Sequence, residues 1–144
     1  MQVKHILGNK GREVVTITSD ATLSEAAREL TRHRIGALIV KNEDGSILGV
    51  ISERDIVRAV SEASVFALPK PVSAYMTRAV QTCSEDDTVD TLMETMTAGR
   101  FRHVPVVAED RLVGIVSIGD VVKTRVAETV EEAHALREYI AAAR

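Results

Sequence analysis

Two short segments of the chain combine a hydroxyl and a carboxylate at one fixed spacing. Residues 49–55 and 114–120 each read glycine, two β-branched residues, serine, two variable residues and aspartate. A β-branched run that ends in serine predicts a strand leading into a helix N-terminus, where free N–H groups and the helix dipole favour an anion. A small hydroxyl and a short carboxylate there can hold a sugar diol. The pattern is typical of a nucleotide site, with these side chains: Ser52 and Asp55, Ser117 and Asp120.

The same spacing also has a purely structural interpretation. Serine at the N-cap followed by an acidic residue three positions later is a capping box. Thr22 and Glu25 show this pattern with no accompanying signal. Three features favour a ligand site: both copies carry the glycine, the serine directly follows a strand, and the carboxylate is aspartate rather than glutamate. At this level both interpretations remain open.

These segments belong to a longer internal repeat. Apolar and polar residues recur at a constant offset up to Val40 and Val106, and at one residue less from Ile47 and Leu112 onward. Such a recurrence implies a duplicated supersecondary unit, with the length difference absorbed in a surface loop. The chain is predicted to divide as follows: repeat 1 over 3–65, a proline-containing linker over 66–71, repeat 2 over 72–125, and a C-terminal helical extension over 126–144.

Each repeat predicts the order strand, helix, strand, strand, helix. In the first repeat, a β-branched run at 14–17 and apolar runs at 36–40 and 47–51 are typical of strands. The capping pattern at Thr22 begins one helix, and Ser52 begins another that ends near Ala63. In the second repeat the strands fall at 104–107 and 112–116, preceded by a third near Val80. A short lead-in at 72–76 resembles residues 3–7.

Composition favours one small domain and argues against several classes of protein. The chain has 144 residues, 45% of them apolar, so each half alone would be marginal and the two halves should share a core. A net charge of −3 gives no general attraction to nucleic acid or to an anionic membrane. No apolar run approaches the roughly 20 residues that span a bilayer, and residues 1–7 lack a signal-peptide core. We expect a cytoplasmic protein.

The remaining chemistry-bearing residues give weak signals. Cys83 is the single cysteine, which excludes an internal disulfide, and it aligns with apolar Ile17, so a buried thiol is expected. No cysteine or histidine set has metal-ligand spacing, and no nucleophile motif or phosphate-binding loop is present. We therefore expect no metal and no enzymatic activity. The last helix carries an apolar stripe that includes Val126 and Val130, which either covers its own domain or forms a dimer contact.

Three features identify a family: both Gly-x-x-Ser-x-x-Asp segments, the repeated order of elements, and residues 102–106. In these features the chain resembles a tandem pair of cystathionine-β-synthase (CBS) domains, also called a Bateman module, of the stand-alone kind. The resemblance covers about residues 3–125. It implies an α/β (α+β) fold in which two β-α-β-β-α repeats pack sheet to sheet about a pseudo-twofold axis. Two clefts between the repeats would then take adenosine-containing ligands.

The resemblance also assigns roles by position. Asp55 and Asp120 would bind ribose hydroxyls, and Ser52 and Ser117 would lie near ribose or phosphate. The base or phosphate side would be lined by six residues: Thr18, Gly36, Ala37, Ser84, Arg102 and His103. Phosphate would meet Arg54, Arg102 or His103, because an arginine fork can donate two hydrogen bonds to phosphate oxygens. Gly119 replaces Arg54 in the second copy, so the two clefts should bind differently.

The function expected from the resemblance is regulatory. The module would sense AMP, ADP or ATP without needing a cofactor, act as a homodimer and signal to a downstream protein that the sequence does not name. NAD(H) or S-adenosylmethionine as the ligand is one alternative, and an interaction module with vestigial clefts is another.

Overall fold

Two small β-sheets, one from each repeat, form the centre of the fold. The structure is a computed structural model that describes residues 1–143. The strands are β1 (Thr16–Thr18), β2 (Ala37–Lys41), β3 (Ile47–Ser52), β4 (His103–Ala108) and β5 (Arg111–Ser117). In the first sheet β1 runs parallel to β2, and β3 runs antiparallel to β2. In the second sheet β4 and β5 are antiparallel. The mixed α/β class and the long C-terminal helix are confirmed.

The five described helices are α1 (Val3–Lys10), α2 (Leu23–His33), α3 (Glu53–Ala63), α4 (Val89–Gly99) and α5 (Ile118–Ala142). Three of them, α2, α3 and α5, begin where the capping patterns predict. Thr22, Ser52 and Ser117 are N-caps whose side chains accept a hydrogen bond from the backbone of the third helical residue. Short 3-10 turns at Ser64–Ala67 and Val72–Ala74 connect the repeats. The predicted C-terminal extension is a continuation of α5, and its last residue, Arg144, lies outside the described residues.

The first strand of the second repeat is reduced to a single bridge. Cys83 pairs in parallel with Val106, whereas the corresponding β1 makes three such pairs with β2. In the first repeat the Ile39 N–H donates to the Val15 carbonyl at 3.2 Å. The repeat places Pro105 where Ile39 stands, and proline has no N–H to donate. The loss of this bond explains why the predicted strand near Val80 does not form a regular ladder.

The two lead-in segments exchange places between the repeats. Val3, Ile6 and Leu7 of α1 are buried in the core of the second repeat. Val72 and Met76 are buried in the core of the first. Each repeat is therefore completed by a segment that precedes the other repeat, which makes the halves mutually dependent.

The repeated glycine lies where each lead-in passes. A Cβ atom on Gly49 would come within 2.5 Å of the Thr77 carbonyl oxygen, and one on Gly114 within 2.7 Å of a Leu7 methyl. Close backbone approach therefore requires glycine at Gly49, whereas at Gly114 the contact is with a leucine side chain that can move. This packing reason accounts for a residue that the sequence alone associated with ligand binding.

A third apolar cluster joins the two sheets. Ala37, Ile39 and Val50 of the first sheet pack with Leu112 and Ile115 of the second. This contact is the sheet-to-sheet arrangement implied by the family resemblance. Cavities that lie beside this cluster are consequently bounded by residues of both halves.

Cys83 is buried, as the repeat alignment predicts. Its burial, reinforced by the negative charge of Asp87, raises the pKa of the thiol to about 12. The thiol is therefore protonated at neutral pH and unsuited to nucleophilic chemistry. None of the helices described within residues 1–143 is both long and apolar enough to cross a membrane.

Candidate functional site

A cavity of about 610 Å³ opens between the two repeats. Four parts of the chain form it: the N-terminus of α3, residues 77–81 that follow the lead-in of the second repeat, residues 100–103 at the start of β4, and the start of α5. Its volume lies in the range of ordinary small-molecule sites. The lining residues are Val50, Ser52, Glu53, Arg54, Asp55, Arg58, Thr77, Val80, Gln81, Arg100, Phe101, Arg102, His103, Ser117, Ile118 and Gly119.

Asp55 is both a helix cap and a wall of this cavity. One carboxylate oxygen, Oδ2, accepts hydrogen bonds from the Ser52 backbone N–H at 2.9 Å and from the Ser52 hydroxyl at 3.0 Å. The other, Oδ1, lies 3.4 Å from an Arg58 guanidinium nitrogen. Although Asp55 is only 6% exposed, it borders the cavity. The capping box is therefore real, and it fixes the carboxylate at the cavity wall.

Asp120, the counterpart of Asp55, has a different environment. Its Oδ2 accepts hydrogen bonds from the Ser117 N–H at 2.8 Å and from the Lys10 ammonium at 2.7 Å. The same ammonium donates to the Ile115 carbonyl at 2.9 Å. Burial is the largest influence on the pKa of Asp120 and acts to raise it, but the hydrogen bonds from Lys10 and Ser117 outweigh burial and lower the pKa. A ligand at this carboxylate would compete with Lys10.

Four arginines give the cavity its basic side. Arg54 and Arg58 come from α3, and Arg100 and Arg102 come from the turn that precedes β4. Arg100 has a left-handed backbone, with φ of 55°, and caps the C-terminus of α4. Arg58 lies beside Asp55. Among residues 1–143, the other three guanidinium groups have no carboxylate within 4.0 Å.

His103 fits against a glycine of the other repeat. Its Nε2 lies 3.1 Å from the position that a Cβ atom on Gly36 would take. Burial, the largest influence, lowers the pKa of His103, and the negative charge of Glu53 only partly opposes this effect. His103 is therefore mostly neutral at neutral pH. Its ring lies beside the place that a side chain at position 36 would take, and glycine there leaves room for the ring.

The structure brings most of the candidate site residues together but separates some. Ser52, Arg54, Asp55, Arg102, His103, Ser117 and Gly119 line the cavity. Gly36 lines a neighbouring groove on α2 and α3. Ala37 is buried beside Ser52 in the sheet.

Thr18 and Ser84 lie apart from the cavity-lining residues. Thr18 pairs with Lys41, at the end of β2 opposite to Ala37. The Ser84 backbone N–H donates to the Asp87 carboxylate at 2.8 Å, in the turn before α4. Neither residue is part of the cavity wall.

Other lining residues carry no sequence signal that identifies them. The segment that follows the lead-in lines the cavity with Thr77, Val80 and Gln81. It is held against the first repeat because Thr77 and Val50 exchange backbone hydrogen bonds of 3.0 and 2.9 Å. Arg58 follows Asp55 by less than one helical turn, a spacing that could have indicated a pair. The presence of Arg100 in the cavity wall depends on the conformation of the turn that ends α4.

Comparison with known protein families decides the assignment. A family model described as "CBS domain" matches residues 3–62 and again 72–127. The chain belongs to the CBS domain family. The tandem CBS pair inferred from the repeat is thereby confirmed, and the two matched stretches are the two halves between which the cavity lies.

Relatives of this CBS pair include solved structures and a plant protein. A CBS-domain containing protein from Agrobacterium tumefaciens is 50% identical, with a TM-score of 0.85, over 87% of this chain and 99% of that chain. The CBS domain pair of protein MJ0100, solved in complex with 5′-methylthioadenosine and S-adenosyl-L-methionine, is 32% identical, with a TM-score of 0.80, over 89% of this chain and 98% of that one. The mitochondrial CBS domain-containing protein CBSX3 of Arabidopsis thaliana is 32% identical over 96% of this chain and 71% of its own length.

Proposed function

We propose that this CBS pair is a regulatory module that binds an adenine nucleotide, AMP, ADP or ATP, in the cavity between its repeats. The observation that carries the proposal is the meeting of the Asp55 carboxylate with several arginines around one cavity. Ribose hydroxyls can donate to a carboxylate, and phosphate oxygens accept from guanidinium groups. The complex of MJ0100 with two adenosyl ligands supports an adenosine-containing ligand for this fold.

The two ends of the nucleotide have different surroundings. At the α3 end, Ser52 holds the Asp55 carboxylate through Oδ2, and a ribose hydroxyl at Oδ1 would share that oxygen with Arg58, 3.4 Å away. Val50, Val80 and Ile118 offer apolar surface for a base. Gln81 carries an amide that can both donate to and accept from a base edge. This combination suits a nucleoside whose phosphates extend toward the basic side.

We expect one nucleotide per chain. At the second copy of the motif, Lys10 already occupies the Asp120 carboxylate with a charge-assisted hydrogen bond. Such bonds are stronger than those between neutral groups, so a neutral ribose hydroxyl displaces the ammonium unfavourably. At the first copy, no cation from a lead-in segment within residues 1–143 binds the Asp55 carboxylate. The cation beside Asp55 is Arg58, which belongs to the same helix. The two clefts therefore differ, with the cavity at Asp55 as the occupied one.

Other ligands fit the cavity less well. S-adenosylmethionine carries a positive sulfonium, which is disfavoured beside the three lining arginines that have no carboxylate within 4.0 Å among residues 1–143, Arg54, Arg100 and Arg102. NAD(H) carries a diphosphate and remains compatible with the arginines. An interaction module with vestigial clefts would leave these arginines without a ligand role. A ligand that contacts both repeats can change the balance between two conformations of the pair. The size of this change is set by how much more tightly the ligand binds one conformation than the other.

The proposal is tested by thermal unfolding with AMP, ADP, ATP, NAD, NADH, GTP and S-adenosylmethionine. We expect an adenine nucleotide to raise the melting temperature and GTP to raise it less. A ligand at a hundredfold excess over its Kd stabilises the folded state by about 2.7 kcal/mol, which is readily measured. No change with any adenosine ligand at millimolar concentration would favour the vestigial-cleft alternative.

We also propose that the module is a homodimer joined through α5, and that it regulates a partner protein in the cytoplasm. Val122, Val126 and Val130 recur every fourth residue along α5 and are 55%, 58% and 64% exposed. Such spacing forms a continuous apolar stripe on one face of a helix. Covering this stripe with a second copy would remove it from water.

Removing residues after Arg125 is expected to shift the protein from dimer to monomer. The double variant Val126→Glu, Val130→Glu in the full chain should act in the same direction, because it places charges in the stripe. Light scattering at tens of micromolar measures both, with Glu132→Lys, on an exposed residue of the same helix, as the control. A monomeric full-length protein would refute the dimer.

A further inference from the structure

Lys10, the last residue of α1, makes an unusual pair of contacts with the second repeat. Its ammonium donates to the Asp120 carboxylate at 2.7 Å and to the Ile115 carbonyl at 2.9 Å. Both acceptors lie within residues 114–120, the second copy of the repeated motif. The end of α1 is therefore joined to that motif through one lysine side chain.

The first copy of the motif makes the corresponding contacts differently. Val50 is the counterpart of Ile115, and its carbonyl accepts a hydrogen bond from the Thr77 backbone N–H at 2.9 Å. The counterpart carboxylate, that of Asp55, lies beside Arg58 of its own helix and borders the cavity. In the first repeat, backbone pairing thus occupies the carbonyl and leaves the carboxylate at a cavity wall. In the second repeat, the α1 lysine occupies both acceptors.

The two acceptors that Lys10 binds suit a diol. One nitrogen reaches both at 2.7 and 2.9 Å, so they lie close together and both point toward the same donor. Adjacent ribose hydroxyls also carry two O–H donors, one for each acceptor. We propose that Lys10 is an internal substitute for the ligand, so that α1 closes a latent second ligand site at Asp120. This inference rests on the proposed function, since the latent site would take the same class of nucleotide.

The position of Lys10 allows it to leave. Its side chain is 32% exposed and that of Asp120 is 21% exposed, so the contact lies at the edge of the protein. Gly11, with φ of 102°, follows directly, and a Cβ atom on Gly8 or Gly11 would have open space around it. Rotation of the lysine side chain into water therefore requires no movement of a packed element. A neutral hydroxyl competes poorly with the ammonium, so the contact is autoinhibitory while it is made.

Calorimetry of the full-length protein with AMP and with ATP tests this inference. We expect the unaltered protein to bind one nucleotide per chain and Lys10→Met to bind two, with the second site at least about tenfold tighter than in the unaltered protein. Methionine keeps the unbranched apolar stem and removes the charge. Lys4→Met, the same change on the same helix beside Asp86, should still bind one. Adding Asp120→Asn to Lys10→Met should weaken the second site again.

The outcomes distinguish this inference from the proposed function. One nucleotide per chain in both the unaltered protein and Lys10→Met would overturn the role of Lys10, and so would two in the unaltered protein, while the proposed function stands. Binding by Lys10→Met alone would support the role of Lys10 and overturn the assignment of the ligand to the Asp55 cavity. Absence of binding by every variant would overturn both. Thermal unfolding verifies that each variant is folded.

Discussion

Replacing Asp55 with asparagine is expected to weaken adenine nucleotide binding by about ten- to a hundredfold. The substitution removes the charge from an acceptor that borders the cavity and is held in place by Ser52. A hydrogen bond to a charged group contributes roughly 1.5–3 kcal/mol, and each 1.4 kcal/mol corresponds to about a factor of ten in Kd. Isothermal titration calorimetry measures both the affinity and the stoichiometry.

Asp120→Asn is the matched control, since it changes the same residue type at the same place in the repeat. Its carboxylate holds Lys10 and does not line the cavity, so we expect nucleotide affinity close to that of the unaltered protein. An asparagine side-chain oxygen at the third helical position can still accept the hydrogen bond from the N-cap serine N–H, so neither change should greatly reduce stability through the capping box itself. Unaltered affinity and stoichiometry in both variants would leave the capping box as the better explanation of the repeated motif.

Replacing Gly49 with alanine is expected to reduce the free energy of unfolding by about 1–3 kcal/mol, the range typical of overpacked sites. The added methyl would lie 2.5 Å from the Thr77 carbonyl oxygen, which is backbone and already bonded to the Val50 N–H at 3.0 Å. The lead-in must therefore move away from β3. Because Thr77 and Val50 both line the cavity, nucleotide binding should weaken as well.

Gly114→Ala provides the comparison for Gly49→Ala. Its added methyl would meet Leu7 at 2.7 Å, but the contact is with the end of a side chain that can rotate. Urea unfolding of both variants should therefore show the larger loss at Gly49, and only that variant should lose nucleotide affinity. Equal losses at the two positions would mean that the backbone of the lead-in is as adaptable as a leucine side chain.

Local sequence information predicts most of the elements correctly. The capping residues Thr22, Ser52 and Ser117 begin helices as expected, because a cap depends only on a side chain and the backbone of the next turn. The internal repeat indicates the CBS pair, since a duplicated pattern requires a duplicated unit that shares a core. In the structure, three residues that the sequence offered as candidates line one cavity: Asp55, Arg54 and Arg102.

Three features of the structure were not predicted, although the residues that cause them can be named once the fold is known. Pro105 breaks the parallel pairing of the strand predicted near Val80, because the lost N–H matters only where a neighbouring carbonyl faces it. Thr18 lies at the far end of its sheet, since the direction of a strand in the sheet decides which end reaches the cavity. Arg100 lines the cavity from the left-handed C-cap of α4.

The sequence by itself determined the repeat, the starts of α2, α3 and α5, the order of strands and helices in the first half and the burial of Cys83, all of which depend on local pattern or on alignment of one half with the other. Only the tertiary structure decided which carboxylate faces a cavity. Lys10 reaches Asp120 across 110 positions of sequence because α1 packs on the opposite repeat. No local pattern encodes that exchange of lead-ins, since either half offers the same kind of apolar surface to a short helix. The inequality of the two copies is therefore a product of long-range packing.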